Sequence, residues 1–288
     1  MRWLRAPAKI NLTLRVVGRR ADGYHELESL VAFAGSCDWL GFEPGAGLEL
    51  EVFGPRALEA GPVDRNLVLR AARALAAQIP GSASGRFRLF KRLPAAAGLG
   101  GGSADAAAAL RLLAGQAGLS IDDPRLRASA RETGADVLAC LCPRARMMWG
   151  IGDQLGPAIA LPKIFALLVN PRVEAPTPKV FAALGLAPGS NLESSARSSL
   201  APGTDAAAVL KSLSRGRNDL EGAAIRVAPA IAVVLERLSQ VPGATLTRMS
   251  GSGATCVALF SDRRSAAAAR RAVAADRPDW WVEATSLR

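Results

Sequence analysis

Histidine is nearly absent from this chain: one residue, His25, among 288. A site that needs two or more imidazole ligands, such as an H-E-x-x-H zinc centre, is therefore excluded. Cysteine is also scarce. Cys37, Cys140, Cys142 and Cys256 never fall into a C-x-x-C spacing, so neither a zinc knuckle nor a thioredoxin-type motif is supported. The four thiols read as small buried hydrophobes in a reducing compartment. Aromatic residues make up only 5%, with Tyr24 the single tyrosine. No charge-free apolar run reaches the roughly 18 residues of a membrane span. The opening Met-Arg-Trp-Leu-Arg has no signal-peptide core and leaves no room for a transit peptide. A cytoplasmic protein without membrane contact is the expectation.

What is present describes a globular chain. Half the residues are hydrophobic and 21% are charged, which excludes a disordered or collagen-like polymer. The length suits one large domain or two smaller ones. Lys and Arg number 36 against 25 Asp and Glu, a net charge of +11. Only Lys9, Lys91, Lys163, Lys179 and Lys211 are lysines. Such a balance points to nucleic acid, anionic lipid or phosphate-bearing small molecules, or else to a solvated basic surface.

Residues 4–17 alternate apolar and polar in the period of a strand, which puts Lys9 and Asn11 on one polar face. A polar turn at Gly18–Gly23 and strands at Leu27–Phe33, Trp39–Phe42 and Leu48–Phe53 make the first fifty residues β-rich. A helix capped by Asp64 or Asn66 follows, to about Gln78, then a strand at Arg86–Lys91 and a helix from Ala104 to about Leu113. Asp122-Asp123-Pro124 opens a helix that ends near Gly134. Scattered Gly and Pro over 143–162 mark a junction, giving lobes at 1–155 and 156–288. Further on come a strand at Ile164–Val169, an exposed loop over 187–204, and helices near 205–214, 219–227 and 229–240. Strands at 244–248 and 254–260, a last helix and the strand Trp281–Ala284 close the chain. Strands and helices intermix without a regular βαβ period, which favours α+β.

The strongest motif is the run from Pro94 to Asp105, with Gly98, Gly100, Gly101 and Gly102 between a strand and an Ala-rich helix. Glycines there let the backbone approach a ligand, and the amides of the loop and helix start would face an anion. Ser103 is positioned either to cap the helix or to offer its hydroxyl to a phosphate-bound Mg²⁺. A tight glycine turn is the plainer alternative. The run is no P-loop, because no Lys follows the glycines; it is no dinucleotide fingerprint, because Ser103 stands where the last Gly belongs. A second glycine turn, Met249–Ala254, is either a hairpin turn or another backbone wall near phosphates. Asp136 precedes an apolar run and would need a cationic partner, for which Lys9 is a candidate; a helix-capping Asp is the alternative. Adjacent Tyr24 and His25 offer a planar polar platform, or a satisfied structural pair.

Together and in this order, these segments resemble the GHMP small-molecule kinases. Ala6–Leu12, Gly23–Leu27, Gly134–Val137, Pro176-Thr177-Pro178 with Phe181, and Asn218–Glu221 point within that superfamily to a member whose substrate is a cytidine-diphosphate-linked methylerythritol. The resemblance spans residue 6 to about residue 260. It implies a two-lobed α+β fold, with an N-terminal lobe like the second domain of ribosomal protein S5 and a ferredoxin-like C-terminal lobe. It also implies ATP-dependent phosphorylation of a substrate hydroxyl, with Mg²⁺, in the non-mevalonate route to isoprenoid precursors. By resemblance, Asp136 takes the hydroxyl proton, while Lys9 orients that hydroxyl and keeps Asp136 ionised. Pro94, Ala95, Ala96, Ala97, Gly98, Leu99, Gly100, Gly101, Gly102, Ser103 and Ala104 wrap the ATP phosphates, with Asn66 on the nucleotide side. Asn11 contacts the methylerythritol end; Tyr24, His25 and Phe181 enclose the cytosine. A GHMP kinase acting on mevalonate, homoserine or a sugar is the alternative within the family. An RNA-binding module is disfavoured, since the arginines are scattered and no stacking-aromatic signature is present, so no nucleic-acid partner is expected.

Overall fold

A computed structural model describes residues 1–162, 164–192 and 213–288. Contacts gather them into two compact units that do not divide the chain at one point. The first holds Met1–Lys9, Cys37–Ala95 and Gly100–Pro143; the second holds Ile10–Ser36, Ala96–Leu99 and Arg144–Arg288. Two long strands, β1 (Arg2–Asn11) and β3 (His25–Pro44), contribute residues to both.

In the first unit, the end of β3 pairs antiparallel with β5 (Gly85–Phe90), and β5 pairs parallel with β4 (Leu48–Phe53). Parallel neighbours require a crossover, and α1 (Leu67–Gln78) supplies it. Asn66 starts this helix by accepting the amide of Val68 at 3.0 Å on its carboxamide oxygen, so Asn66 rather than Asp64 is the cap. Three further helices follow: α2 (Gly101–Gln116), α3 (Pro124–Thr133) and α4 (Ala135–Leu141). Asp123 caps α3 through the Arg125 amide, with Pro124 in the first turn, as its sequence requires. From Ala104 to Leu110 α2 is buried on every side, and five of those seven residues are alanines. Small side chains let α1, α3 and α4 pack close around it.

Under the first turn of α2 lies a buried ionic group that the sequence did not reveal. Lys91 Nζ donates to Asp38 Oδ2 at 2.5 Å and to Asp105 Oδ2 at 2.7 Å. Asp38 Oδ1 accepts the amides of Arg92 and Leu93 at 2.6 and 2.8 Å. One ammonium therefore joins the end of β5 to β3 and α2. Burial works against the Lys91 charge, but the two carboxylates outweigh it and the ammonium is held more firmly than usual. Asp105 is the weaker partner. Its Oδ1 is buried without a hydrogen bond among the described residues, and burial pushes its carboxyl up to about 7.

In the second unit, β2 (Arg15–Arg19) and β6 (Arg146–Gly150) both pair antiparallel with β3, and β6 pairs with β7 (Gln154–Ala158). A second set of strands runs β11 (Trp281–Leu287), β8 (Ile164–Asn170), β10 (Cys256–Phe260), β9 (Leu246–Met249), each antiparallel to its neighbour. Helices α5 (Thr177–Ala182), α6 (Glu221–Val227) and α7 (Ala230–Ser239) lie in sequence between β8 and β9; α8 (Arg263–Asp276) lies between β10 and β11. That order and alternation make a ferredoxin-like βαββαβ arrangement. Its core includes Leu167, Val169, Ile231, Val234, Phe260 and Val273.

Several sequence expectations change. The strand expected over 4–17 is two strands, with a bend at residues 12–14. Both faces of β1 are buried near its end, so the polar face of Lys9 and Asn11, 4% and 5% exposed, is an interior one. β3 continues through Gly35 and Gly41, joining two segments expected to be separate; at Gly41 a Cβ would meet the Trp3 ring at 2.8 Å, so the glycine makes room for it. Cys142 is exposed rather than buried. The expected loop beyond residue 192, and nearly all of the helix near 205–214, lie outside the described residues.

The buried ionic group gives a stability prediction. Lys91→Met leaves two carboxylates without their counter-charge and is expected to cost about 3–5 kcal/mol. Asp105→Asn removes the charge that burial disfavours and is expected to cost less than about 1 kcal/mol at pH 7. The native value of Asp105 lies above its unfolded one, so its contribution declines as pH rises from 3.8 toward about 7. Urea unfolding across that range should show a flatter profile for Asp105→Asn than for the parent.

Candidate active site

The N-terminal end of α2 is built from glycine. Gly100 is the N-cap, with φ +58°, and no side chain caps the helix. The helix begins at Gly101, three residues before the expected start at Ala104, so Ser103 lies within the first turn and does not cap it. The first intrahelical bond runs from Ala104 N to Gly100 O at 2.8 Å. The amides of Gly101, Gly102 and Ser103 precede it and find no acceptor among the described residues, which leaves three donors and the positive end of the helix dipole for an anion. A side chain at Gly100 would be strained: its φ is positive, and a Cβ there would stand 3.2 Å from Lys9 Cβ and 3.5 Å from Lys9 Cε.

Lys9 lies against this glycine and donates to Asp136 Oδ1 at 2.6 Å. Asp136 sits in the first turn of α4, whose N-cap is Gly134, so it is not the capping residue. The lysine side chain is 6% exposed and the aspartate 37%, so the carboxylate is the solvent-reachable member of the pair. One turn further along α4, burial, with the Asp136 carboxylate beside it, pushes the Cys140 thiol up to about 12 and keeps it protonated.

In the second unit, residues 96–99 are held against the turn between β9 and β10. Thr255 N donates to Ala97 O at 3.1 Å, and Ser250 Oγ donates to Gly98 O at 3.0 Å. Gly98 has φ +72°, and a Cβ there would stand 2.4 Å from Ser250 O. The Met249–Ala254 segment is thus a hairpin turn and also a wall for this part of the glycine loop. Asn11 N donates to Ser250 Oγ at 3.1 Å, and Asn11 Nδ2 donates to Ser29 Oγ at 2.7 Å. Thr177 and Ser252 share a hydroxyl hydrogen bond of 2.7 Å, which ties the Pro-Thr-Pro segment to the same turn.

His25 and Phe181 come together, with ring centroids 4.6 Å apart and planes inclined by 32°. His25 Nε2 is buried and has no hydrogen-bond partner among the described residues. Tyr24 does not join them: it is 61% exposed. Of the other expected contacts, Asn66 spends its carboxamide oxygen on α1, Ala95 N donates to Glu59 Oε2 at 3.2 Å, and Leu99 and Ala104 are buried. Ala96 adopts φ +49°, unusual for a residue with a side chain; Pro94 precedes these turns. Among the described residues, no group of three or more His, Cys, Asp or Glu could cage a metal ion. The Ser103 hydroxyl, in the first turn of α2, fits an ion carried on bound phosphates rather than one held by protein alone.

Two family models match the chain: "GHMP kinases N terminal domain" over residues 66–144 and "GHMP kinases C terminal" over 199–279. A curated relative named 4-diphosphocytidyl-2-C-methyl-D-erythritol kinase, from Xanthobacter autotrophicus, is 58% identical over 99% of this chain and 98% of its own. The chain belongs to the 4-diphosphocytidyl-2-C-methyl-D-erythritol kinase family of GHMP kinases. A crystal structure of a 4-(cytidine 5'-diphospho)-2C-methyl-D-erythritol kinase matches 99% of both chains at 34% identity, with a TM-score of 0.78. A homoserine kinase from Cytophaga hutchinsonii shares the fold, with a TM-score of 0.64 at 18% identity over 99% of this chain and 93% of its own. Members of this family are small-molecule kinases, which implies ATP as the phosphoryl donor. No described helix is long and apolar enough to cross a membrane.

Burial, and then the Arg19 guanidinium, lower the pKa of His25 from its ordinary 6.5. The ring is therefore expected to remain neutral at pH 7. Its stabilising contribution is present above pH 6.5 and is lost as pH falls toward the lowered native value. As the only histidine, it gives a single imidazole signal by NMR. A midpoint below 6.5 is expected; one at or above 6.5 would contradict the packing.

Proposed function

We propose that this chain transfers the γ-phosphoryl group of ATP to a hydroxyl of 4-diphosphocytidyl-2-C-methyl-D-erythritol, giving the 2-phosphate. The observation that carries this reading is the 2.6 Å Lys9–Asp136 pair beside a helix terminus whose first amides have no partner among the described residues. A carboxylate close to an anion site is suited to taking a proton from an alcohol, and the amides to holding the transferring group.

In this mechanism Asp136 accepts the proton of the substrate hydroxyl. The alcohol oxygen bonds to the γ-phosphorus as the bond from that phosphorus to the bridging oxygen breaks, and ADP leaves. Lys9 keeps Asp136 oriented and offsets negative charge as it shifts toward the acceptor. The amides of Gly101, Gly102 and Ser103 hold phosphate oxygens, with the remainder of Pro94–Ala104 shaping the loop. Mg²⁺ carried on the phosphates would supply further charge neutralisation, and Ser103 is the residue suited to reach it. Asn11, two residues beyond Lys9 on β1, serves the methylerythritol end. His25 and Phe181 offer a stacking face and one ring nitrogen to the cytosine, with Tyr24 as a further substrate-side residue. Asn66 is assigned to the ATP side. The cytoplasm is the proposed location.

A phosphoryl-transfer assay with ATP, Mg²⁺ and the cytidine-linked alcohol tests this. Asp136→Asn is expected to lower kcat by roughly 10²–10⁴-fold with an unchanged circular dichroism spectrum. Turnover within about tenfold of the parent would remove Asp136 from the role of base. CDP should compete with the alcohol substrate, whereas preferential phosphorylation of mevalonate or homoserine would move the chain to another branch of the GHMP kinases.

A further inference from the structure

Asn218 lies far along the sequence from the glycine loop, and its described side-chain hydrogen bonds reach none of the groups assigned to chemistry. It nonetheless makes three hydrogen bonds with its short side chain. Its Nδ2 donates to Met249 O and to Gly251 O, both at 2.8 Å, and its Oδ1 accepts the amide of Leu220 at 3.0 Å. The two carbonyls flank Ser250, so one carboxamide group clamps the turn on either side of that serine. The Leu220 amide fixes which end of the carboxamide faces the turn.

The clamp is itself anchored. Leu14 N donates to Arg217 O and Asp219 N donates to Leu14 O, each at 2.8 Å, while Asp219 Oδ2 accepts Val16 N at 2.9 Å. From the next helix, Glu221 Oε2 accepts Met249 N at 2.9 Å. Arg248, also buried, donates to Leu12 O at 2.5 Å and to Leu213 O and Gly216 O, holding the strand before the turn.

Everything the clamp holds converges on one hydroxyl. Ser250, with no exposed surface, accepts the amide of Asn11 and donates to the carbonyl of Gly98. Those two backbone groups belong to the strand that carries Lys9 and to the loop that leads into α2. The fit leaves no slack: a Cβ at Gly251, which has φ +57°, would stand 3.2 Å from Gly98 O and 3.4 Å from Asn11 Oδ1.

We propose that Asn218 is a positioning residue for phosphoryl transfer. By gripping the carbonyls on both sides of Ser250, it sets the hydroxyl that registers the Asn11 end of β1 against Gly98 of the glycine loop. The proposal rests on the kinase reading above. It predicts a defect in turnover rather than in affinity alone, because a small misplacement of reacting groups costs rate even when each substrate still binds. It also predicts that shape is not enough. The change Asn218→Asp would keep the volume but turn an acceptor toward two carbonyls, where the native side chain offers two N–H donors.

The test compares Asn218→Ala, Asn218→Asp, Ser250→Ala and the Asn218→Ala/Ser250→Ala double variant of the full chain. Each is assayed for kcat and both KM values with ATP and the cytidine-linked alcohol. An active parent enzyme separates the outcome from failure of the kinase reading itself. The expected result is a loss of at least about tenfold in kcat for Asn218→Ala, with KM values within about threefold. Asn218→Asp should be no better than Ala, and the double variant no worse than the poorer single one, since both residues act through one hydroxyl. Kinetic constants within twofold of the parent in a folded Asn218→Ala enzyme would overturn the proposal, even with a lowered Tm; so would losses that multiply in the double variant. Should neither Asn218 variant fold, Ser250→Ala decides alone: a tenfold loss in kcat supports the proposal, and parental turnover refutes it.

Discussion

A buried ammonium needs a counter-charge, and in this protein that need organises the site. Lys9 is 4% exposed, near the end of a strand whose neighbours Ala8 and Ile10 are fully buried. Left unpaired, its charge would be costly to keep from water; Asp136 at 2.6 Å offsets the cost. Much of the local architecture serves that contact. Gly134 ends α3 and starts α4, so that the carboxylate stands in a first helical turn with surface still open to solvent. Gly100 yields the space that the lysine stem occupies, and by doing so leaves α2 without a side-chain cap. The same glycine thus makes room for the lysine and leaves helix donors free for an anion.

Residue patterns alone left the site open: Asp136 read equally as a helix cap, and the glycine run as a tight turn. The resemblance to the GHMP kinases is what joined them, and the structure brings Lys9, Asp136 and Gly100 together. The helix boundaries also differ from expectation. Gly101 and Gly102 look like loop residues by propensity, yet they form the first turn of α2, where packing of the alanine run outweighs their entropy. Gly134 looks like a terminus and is also a start. β1 looks longer than it is, because alternation continues through the bend at residues 12–14.

Beyond the Lys9–Asp136 pair, long-range polar partners were not legible. Lys91, Asp38 and Asp105 are separated by 53 and 14 residues and carry no local pattern that pairs them. Asn218 stands in the sequence only as part of a motif without a role; its worth lies in two carbonyls more than thirty residues away. The net charge, by contrast, is conspicuous and explains little. Many arginines sit in exposed pairs, such as Arg86–Glu49, Arg127–Asp122 and Arg277–Asp279, which contribute little to stability in water.

The central claim is that Lys9 and Asp136 act as one unit. A double-mutant cycle on kcat/KM, using Lys9→Met, Asp136→Asn and the combined variant, tests it most directly. If the pair is the functional unit, either single change removes most of the activity and the double variant is about as slow as the slower single one. Losses that multiply, with the double variant slower by the product of the two, would contradict the account.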